Sequence, residues 1–146
     1  MIVIASDHAG IDLNARILEV VRGEGHEAHD LGPTHSNSVD YPDFGHKVVM
    51  AVIAGEAQTG ILICGTGIGM SMTANRHPGV RAASCHDAFT AEMARRHNDA
   101  NVLCIGARST GPGVAEQMAR IFLETPFEGG RHQRRVDLIE IEREDS

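Results

Sequence analysis

The stretch Gly60-Ile61-Leu62-Ile63-Cys64-Gly65-Thr66-Gly67-Ile68-Gly69-Met70 decides the fold. Its first half is a short, continuous apolar run, which is typical of a strand buried on both faces of a parallel sheet. Its second half has glycine at alternate positions, where the backbone can adopt unusual angles and a ligand can come close. The residues from Met70 to Asn75 predict the first turns of a helix. A strand, a glycine turn and a helix N-terminus together favour an anion site, because free N–H groups face the ligand.

Cys64 lies where this predicted strand meets the glycine loop. A thiol beside N–H donors favours the thiolate form. Taken alone, however, a cysteine is more often a small buried hydrophobic residue than a catalyst. The glycine loop alone could equally be a tight turn, and it lacks the G-x-G-x-x-G spacing of a dinucleotide site. The combination leads us to expect that Cys64 moves a proton and that the loop holds the resulting negative charge.

Length and composition predict one domain spanning residues 1–146, because the chain is long enough to bury a core without disulfides. The net charge of -7 argues against nucleic acid or an anionic membrane surface as a partner. No apolar run approaches the roughly 18 residues of a membrane helix, and the N-terminus has no signal-peptide pattern. Three widely spaced cysteines favour reduced thiols over disulfides. We therefore expect a cytoplasmic protein.

Apolar runs and helical spacing alternate along the whole chain. Strands are predicted at residues 2–5, 26–31, 61–64, 80–85 and 102–105. Helices are predicted after each of them, with Asp87 as an N-cap and Pro112 in a first turn, and the last helix holds Val136, Ile139 and Ile141 before the acidic tail 142–146. This pattern predicts an α/β fold, a five-stranded parallel sheet covered by helices on both faces. In common doubly wound orders the first and third strands are neighbours, which would bring Asp7 and His8 close to Cys64.

The basic run Arg131-His132-Gln133-Arg134-Arg135 lies at the start of the last predicted helix. Positive charge is unfavourable at that end of a helix, and the acidic residues Glu140, Glu142 and Glu144 lie at the opposite, equally unfavourable end. One interpretation is an exposed terminus where this costs little. The other is that Arg131 and Arg135, one turn apart, clamp a phosphate, since guanidinium groups suit phosphate oxygens.

His97 and Asn98 end another predicted helix, where the helix dipole favours an imidazolium. A histidine in that position is usually a solvated cap. The chain has nine histidines, but none shows a tight ligand spacing such as H-x-x-x-H, so we expect no metal.

Six motifs, in order and spread over essentially the whole chain, resemble ribose-5-phosphate isomerase type B. They are Asp7-His8-Ala9-Gly10, Asp40-Tyr41-Pro42, Cys64-Gly65-Thr66-Gly67-Ile68-Gly69, His97-Asn98, Gly106-Ala107-Arg108 and Arg131-His132-Gln133-Arg134-Arg135. The wider family includes allose-6-phosphate and galactose-6-phosphate isomerases. The resemblance implies a Rossmann-like three-layer sandwich and metal-free, cofactor-free interconversion of ribose 5-phosphate and ribulose 5-phosphate.

The resemblance also implies a role for each site residue. Cys64 would take the proton from C2 and return one to C1, Thr66 would help to hold the enediolate, and His97 would open the furanose ring. The remaining loop residues would cradle the enediolate oxygens: Gly65, Gly67, Ile68 and Gly69. Sugar hydroxyls would be oriented by Asp7, Tyr41 and Asn98, and the phosphate would be held by His8, Arg108, Arg131 and Arg135. Sites in the family lie at a homodimer interface, with the residues matching His97, Asn98 and Arg108 supplied by the partner subunit.

Some relatives replace the cysteine with a glutamate just after the last loop glycine. Met70 occupies that position here and cannot accept a proton, which places this chain in the cysteine branch. Proton abstraction beside a carbonyl needs a base in contact and fixed donors where charge develops, and the assigned residues supply both.

Three other functions remain open from the sequence. The substrate could be a hexose 6-phosphate or a tetrose phosphate, because pocket depth cannot be derived from the sequence. A non-catalytic sugar-phosphate sensor is disfavoured because a pure binder needs no proton-transfer groups. A flavodoxin-like mononucleotide binder is disfavoured because the chain has no tryptophan and one tyrosine, whereas flavin stacking usually uses aromatic residues.

Overall fold

A computed structural model describes residues 1–141 of the chain. Five strands form one sheet in the order β2-β1-β3-β5-β4, and every pair is parallel. The strands are β1 Ile2–Ser6, β2 Ala28–Asp30, β3 Thr59–Cys64, β4 Ala82–Ser84 and β5 Val102–Gly106. The parallel sheet and the adjacency of β1 and β3 are confirmed, with Ile4 opposite Ile61 in the register.

Six α-helices cover the two faces of this sheet. They are α1 Ile11–Gly23, α2 Tyr41–Ile53, α3 Ile68–Ala74, α4 Ala88–Arg96, α5 Pro112–Glu124 and α6 Arg131–Asp137, with a short 3-10 turn at His8–Gly10. One core layer joins α1, α4 and α5 to the sheet through residues such as Ile17, Phe122 and Ile105. The other joins α2 and α3 through residues such as Val48 and Leu62. The predicted three-layer α/β/α sandwich is therefore confirmed.

The continuous apolar runs are explained by this double coverage. Ile61, Leu62 and Ile63 alternate between the two core layers, and all three are fully buried. Gly60 precedes them because α2 packs very close to the start of β3. A Cβ atom at that position would lie 2.5 Å from Val48 Cγ1, nearer than real Cβ atoms approach.

Several boundaries differ from the sequence predictions. The second and fourth strands are shorter than expected, with three residues each. Helix α2 begins at Tyr41 because Pro42 fits the first helical turn. The last helix is shorter than its apolar spacing predicts. Helix α6 ends at Asp137, and Ile139 and Ile141 lie beyond it with exposed side chains, because no sheet layer covers them. Glu142 and Glu144, and the predicted acidic tail, lie outside the described residues.

The topology gives the sheet two distinct ends. All five strands finish at what we call the carboxyl end of the sheet, and all begin at the amino end. Each crossover helix starts near the carboxyl end and returns the chain to the amino end. Within residues 1–141, none of the helices has the length and apolarity needed to cross a bilayer.

Candidate active site

Cys64 is the last residue of β3 and lies at the carboxyl end of the sheet. Its side chain is 4% exposed and packs in the layer that contains α2 and α3. The backbone N–H of Gly67 donates to its sulfur at 3.2 Å. This contact places the sulfur against the backbone N–H groups of the glycine loop.

The other two thiols are unsuited to proton abstraction at neutral pH. Burial raises the pKa of Cys85 to about 11, despite a hydrogen bond from Thr90 that acts in the opposite direction. Burial also raises the pKa of Cys104, which is completely enclosed in β5. Among the cysteines, Cys64 alone joins a strand end to the glycine loop.

The glycine loop turns sharply against the end of β5. Gly67 is the N-cap of α3 with φ +79°, a left-handed conformation that favours glycine. A Cβ atom there would lie 3.1 Å from the backbone carbon of Ile105, so the position also needs a residue without a side chain. The N–H of Ile68 donates to the hydroxyl oxygen of Thr66 at 3.3 Å. Because that oxygen accepts this bond, the exposed Thr66 hydroxyl keeps its own proton for donation to a ligand.

Asp7 and His8 follow β1 and therefore lie next to the end of β3, as predicted from the strand order. The N–H of Asp7 donates to the carbonyl of Ile63 at 3.0 Å, and its carboxylate accepts from the N–H of Ala9 at 2.9 Å. His8 Nδ1 accepts from the N–H of Val39 at 3.2 Å. This bond assigns the imidazole proton to Nε2, which leaves that nitrogen as a donor for an anion.

Two further side chains border the glycine loop. The Tyr41 ring covers Gly69 so closely that a Cβ atom on Gly69 would lie 2.6 Å from the ring. Arg108 is exposed, and one of its guanidinium nitrogens lies 3.5 Å from the point that a Cβ atom on Gly65 would occupy. The resemblance implies that a partner subunit supplies Arg108, whereas here this side chain lies beside the loop of its own chain.

His97 and Asn98 lie at the opposite end of the sheet. They follow α4, which crosses from the carboxyl end of β4 back to the amino end of β5. Because β3 rises about 3.3 Å per residue over six residues, the two ends are roughly 17 Å apart. His97 therefore cannot reach a sugar held at Cys64 of the same chain.

Arg131 and Arg135 belong with His97 rather than with Cys64. Helix α5 also returns to the amino end, and the segment before α6 is tied to α4 because the N–H of Glu128 donates to the carbonyl of Arg96 at 3.1 Å. The imidazoles of His97 and His132 are stacked, with ring centroids 4.2 Å apart and planes 11° from parallel. Both arginines are exposed and close enough to His132 for their charges to lower its pKa.

The candidate residues thus form two groups, one at each end of the sheet. The carboxyl-end group contains Asp7, His8, Tyr41, Cys64, the loop Gly65–Gly69 and Arg108. The amino-end group contains His97, Asn98, Arg131 and Arg135. The resemblance already separates His97 and Asn98 from Cys64, but it places Arg108 with them and assigns Arg131 and Arg135 to neither subunit. The alternation contains part of the signal, because Cys64 follows a strand whereas His97 follows a helix. Sequence reasoning gave no role to His132 or Glu128, because contacts within the amino-end group depend on packing.

Comparisons with known proteins give the class of this chain. The Ribose/Galactose Isomerase family matches residues 2–139. The ribose-5-phosphate isomerase B of Escherichia coli is 42% identical over 133 residues, which cover 91% of this chain and 89% of that protein. The solved ribose-5-phosphate isomerase B of Clostridium thermocellum is 47% identical with a TM-score of 0.93, covering 94% of this chain and 93% of that one. The enzyme of Mycoplasma genitalium, solved with bound ribulose-5-phosphate, is 44% identical with a TM-score of 0.91, covering 94% and 92%.

A three-layer α/β fold with these matches defines an isomerase. The chain belongs to the ribose/galactose isomerase family, and it is a sugar-phosphate isomerase. The resemblance stated from the sequence is confirmed at this level. The alternatives of a non-catalytic sensor and a flavodoxin-like binder are not supported.

Proposed function

We propose that this enzyme interconverts ribose 5-phosphate and ribulose 5-phosphate, with Cys64 as the base. The observation that carries the proposal is the contact between the Cys64 sulfur and the Gly67 N–H at the mouth of the glycine loop. The sequence and structural likeness to enzymes named ribose-5-phosphate isomerase B supports the choice of substrate.

In the proposed reaction the Cys64 thiolate removes the proton from C2 of the open-chain aldose. The electron pair moves into a C1–C2 double bond, and the carbonyl oxygen becomes an enediolate oxygen. Loop amides and the Thr66 hydroxyl stabilise this charge, as an oxyanion hole does. The thiol then returns the proton to C1, and the proton of the C2 hydroxyl passes to the oxygen on C1, so that C2 becomes a ketone and C1 a hydroxymethyl group. Every proton and electron pair is accounted for without a metal or redox cofactor.

The proposed site is completed by a second copy of the chain. The amino-end group of one subunit would meet the carboxyl-end group of its partner, so that His97 can transfer a proton to the ring oxygen and open the furanose. Asn98 would orient a sugar hydroxyl in the same site, as would Asp7 and Tyr41 from the subunit that supplies Cys64.

The phosphate would be held from both sides of this boundary. His8, through its Nε2 proton, and Arg108 would approach from the Cys64 side. Arg131 and Arg135 of the partner subunit would approach from the other side, with guanidinium groups that suit phosphate oxygens. None of these three arginines has an acidic partner among the ion pairs of residues 1–141. Their positive charge is therefore available to an anion.

Exposed apolar side chains support a homodimer. Ile68 and Met72 lie one turn apart on α3, immediately beyond the glycine loop, and both are more than half exposed. Phe89, in the first turn of α4, is 67% exposed. Large apolar side chains that are this exposed are typical of surfaces that are covered on association, and here they lie on α3 and at the start of α4.

A second candidate is isomerisation of a different sugar phosphate. The name of the matching family covers ribose and galactose isomerases, so a hexose phosphate remains within its range. Allose 6-phosphate, galactose 6-phosphate and a tetrose phosphate are the alternatives to test.

The test compares the activity of purified enzyme, with a chelator present, on ribose, allose, galactose and tetrose phosphates side by side. We expect the highest kcat/KM with ribose 5-phosphate. Cys64→Ala should lower kcat by about 10²–10⁴-fold without unfolding the chain. The matched control is Cys85→Ala, which removes a protonated thiol from the opposite core layer and should leave turnover near normal. Near-normal turnover in Cys64→Ala would exclude the proposed base.

A further inference from the structure

The orientation of the His97 imidazole is fixed by an unusual contact. His97 is the C-cap of α4 and its side chain is half-buried. Within residues 1–141 its ring forms no hydrogen bond, and its defined contact is the parallel stack on His132. A proton-transfer group needs a defined direction as well as a suitable nitrogen, because small misplacements reduce rates strongly. The stack is the feature that can supply that direction.

His132 is itself held firmly in place. It is 8% exposed on α6, and its backbone N–H donates to the carbonyl of Gly129 at 3.1 Å. Glu128 anchors this segment to α4 through Arg96, by the backbone bond already described and by an ion pair at 3.6 Å. His132, on which the His97 ring stacks, is therefore linked to the same end of α4 that carries His97.

His132 is a suitable stacking partner for His97, whose ring would gain and lose a proton during ring opening. Burial first, and then the charges of His97 and Arg131, lower the pKa of His132, while Glu128 opposes the shift. At neutral pH His132 is therefore uncharged, and it does not repel an imidazolium at His97. Its Nε2 is buried without a hydrogen bond, and lies 3.4 Å from a Glu128 carboxylate oxygen.

A metal site is the obvious alternative for this cluster, since donor atoms of His97, Glu128 and His132 lie within 4.8 Å of one another. Two observations argue against it. The lone pairs of an imidazole lie in the ring plane, and two planes only 11° from parallel and stacked cannot both contain one ion. The surrounding charges of Arg96, Arg131 and Arg135 also disfavour a cation.

We infer that His132 is a positioning residue whose buried ring, stacked on His97, holds that imidazole in the direction needed for proton transfer to the furanose oxygen. The inference rests on the proposed ring-opening role of His97. It gives His132 a role in ring opening alone. His132 has no role in the proton transfer at Cys64, a residue that lies at the opposite end of the sheet within one chain.

The test separates ring opening from enediolate chemistry. Ribose 5-phosphate is largely a furanose, whereas ribulose 5-phosphate stays open because its terminal hydroxyl carries the phosphate. In D₂O, exchange of the C1 hydrogen of ribulose 5-phosphate needs only the Cys64 step and is followed by NMR. Conversion of ribose 5-phosphate also needs the ring to open. The readout is the ratio of these two rates, conversion over exchange.

We expect His132→Ala to lower this ratio roughly 10- to 100-fold, with exchange near normal. His132→Phe should restore most of the ratio, because a flat ring can stack on His97 although it has no nitrogen. An equal loss of both rates in a folded His132→Ala protein, or no loss in either, would overturn the inference. A ratio in His132→Phe as low as in His132→Ala would also overturn it, since the nitrogen would then matter and not the stack.

The result for His97→Asn keeps this test distinct from the proposed function. If His97→Asn leaves the ratio unchanged, the ring-opening role itself is wrong. If His97→Asn lowers the ratio and His132→Ala does not, the role of His97 stands and only the inference about His132 falls.

Discussion

Subunit complementation tests whether the two groups of site residues meet across a subunit boundary. The perturbation is a pair of variants, Cys64→Ala and His97→Asn, each of which should be nearly inactive as a homodimer. They affect opposite ends of the sheet, roughly 17 Å apart, given the length of β3. In a mixed dimer one boundary site receives both substitutions. The other receives an intact Cys64 from the His97→Asn subunit and an intact His97 from the Cys64→Ala subunit.

The expected magnitude follows from counting sites. A two-fold dimer has two equivalent boundary sites, so a purified mixed dimer should show about half of the wild-type activity. Each parent homodimer should retain no more than about 1% if a positioned proton-transfer group contributes at least about 10²-fold. The gain on mixing is therefore about fifty-fold or more.

The assay uses co-expression of the two variants with different affinity tags. Tandem purification isolates mixed dimers, and conversion of ribose 5-phosphate is measured per dimer. The double variant paired with a wild-type subunit is a matched control, because each of its two boundary sites then has one damaged member. That control should stay near the parental level. Activity of the Cys64→Ala and His97→Asn mixture at the parental level would refute the two-subunit site.

Three further predictions follow from individual contacts. Arg131→Ala should raise the KM for the sugar phosphate with little change in kcat, whereas Arg134→Ala, on the same helix, should leave KM unchanged. Equal KM values for the two variants in steady-state kinetics would contradict the phosphate clamp. Gly60→Ala should lower the free energy of unfolding by roughly 1–3 kcal/mol in denaturant titrations, because the added Cβ atom would overlap Val48. Gly113→Ala is the control: the added Cβ atom would enter open space on α5, so the free energy of unfolding should not fall. Burial lowers the pKa of His132 in the folded chain, so the unfolded chain binds more protons as the pH approaches the ordinary histidine value of about 6.5. Stability should therefore decrease as the pH is lowered through about 6.5. A His132→Phe variant with the same pH profile of melting temperature would show that His132 contributes nothing to that decrease.

Much of the fold could be predicted because the buried sheet imposes a simple pattern. Runs such as Ile61 to Ile63 are apolar at every position, since both of their faces are covered. Local side-chain chemistry also fixed one helix start. Asp87 caps α4 by accepting from the N–H of Thr90 at 2.7 Å, as its type and position predicted.

The errors arose where tertiary contacts decide the outcome. Ile139 and Ile141 continue a helical spacing, but nothing in the sheet lies opposite them, so α6 ends earlier at Asp137. Glu140 instead accepts a hydrogen bond from the N–H of Gly79 at 3.1 Å. His132 gave no sequence signal of its own role, because stacking depends on how the end of α4 meets α6.

Because the site residues are divided between the two ends of the sheet, the activity of the enzyme should depend on its concentration. If a sugar phosphate is gripped by both subunits at once, substrate binds the assembled form far better than the isolated chain. Mass action then requires that substrate strengthens association and that association strengthens substrate binding by the same factor. Specific activity should therefore decline when the enzyme is diluted, and added sugar phosphate should delay that decline.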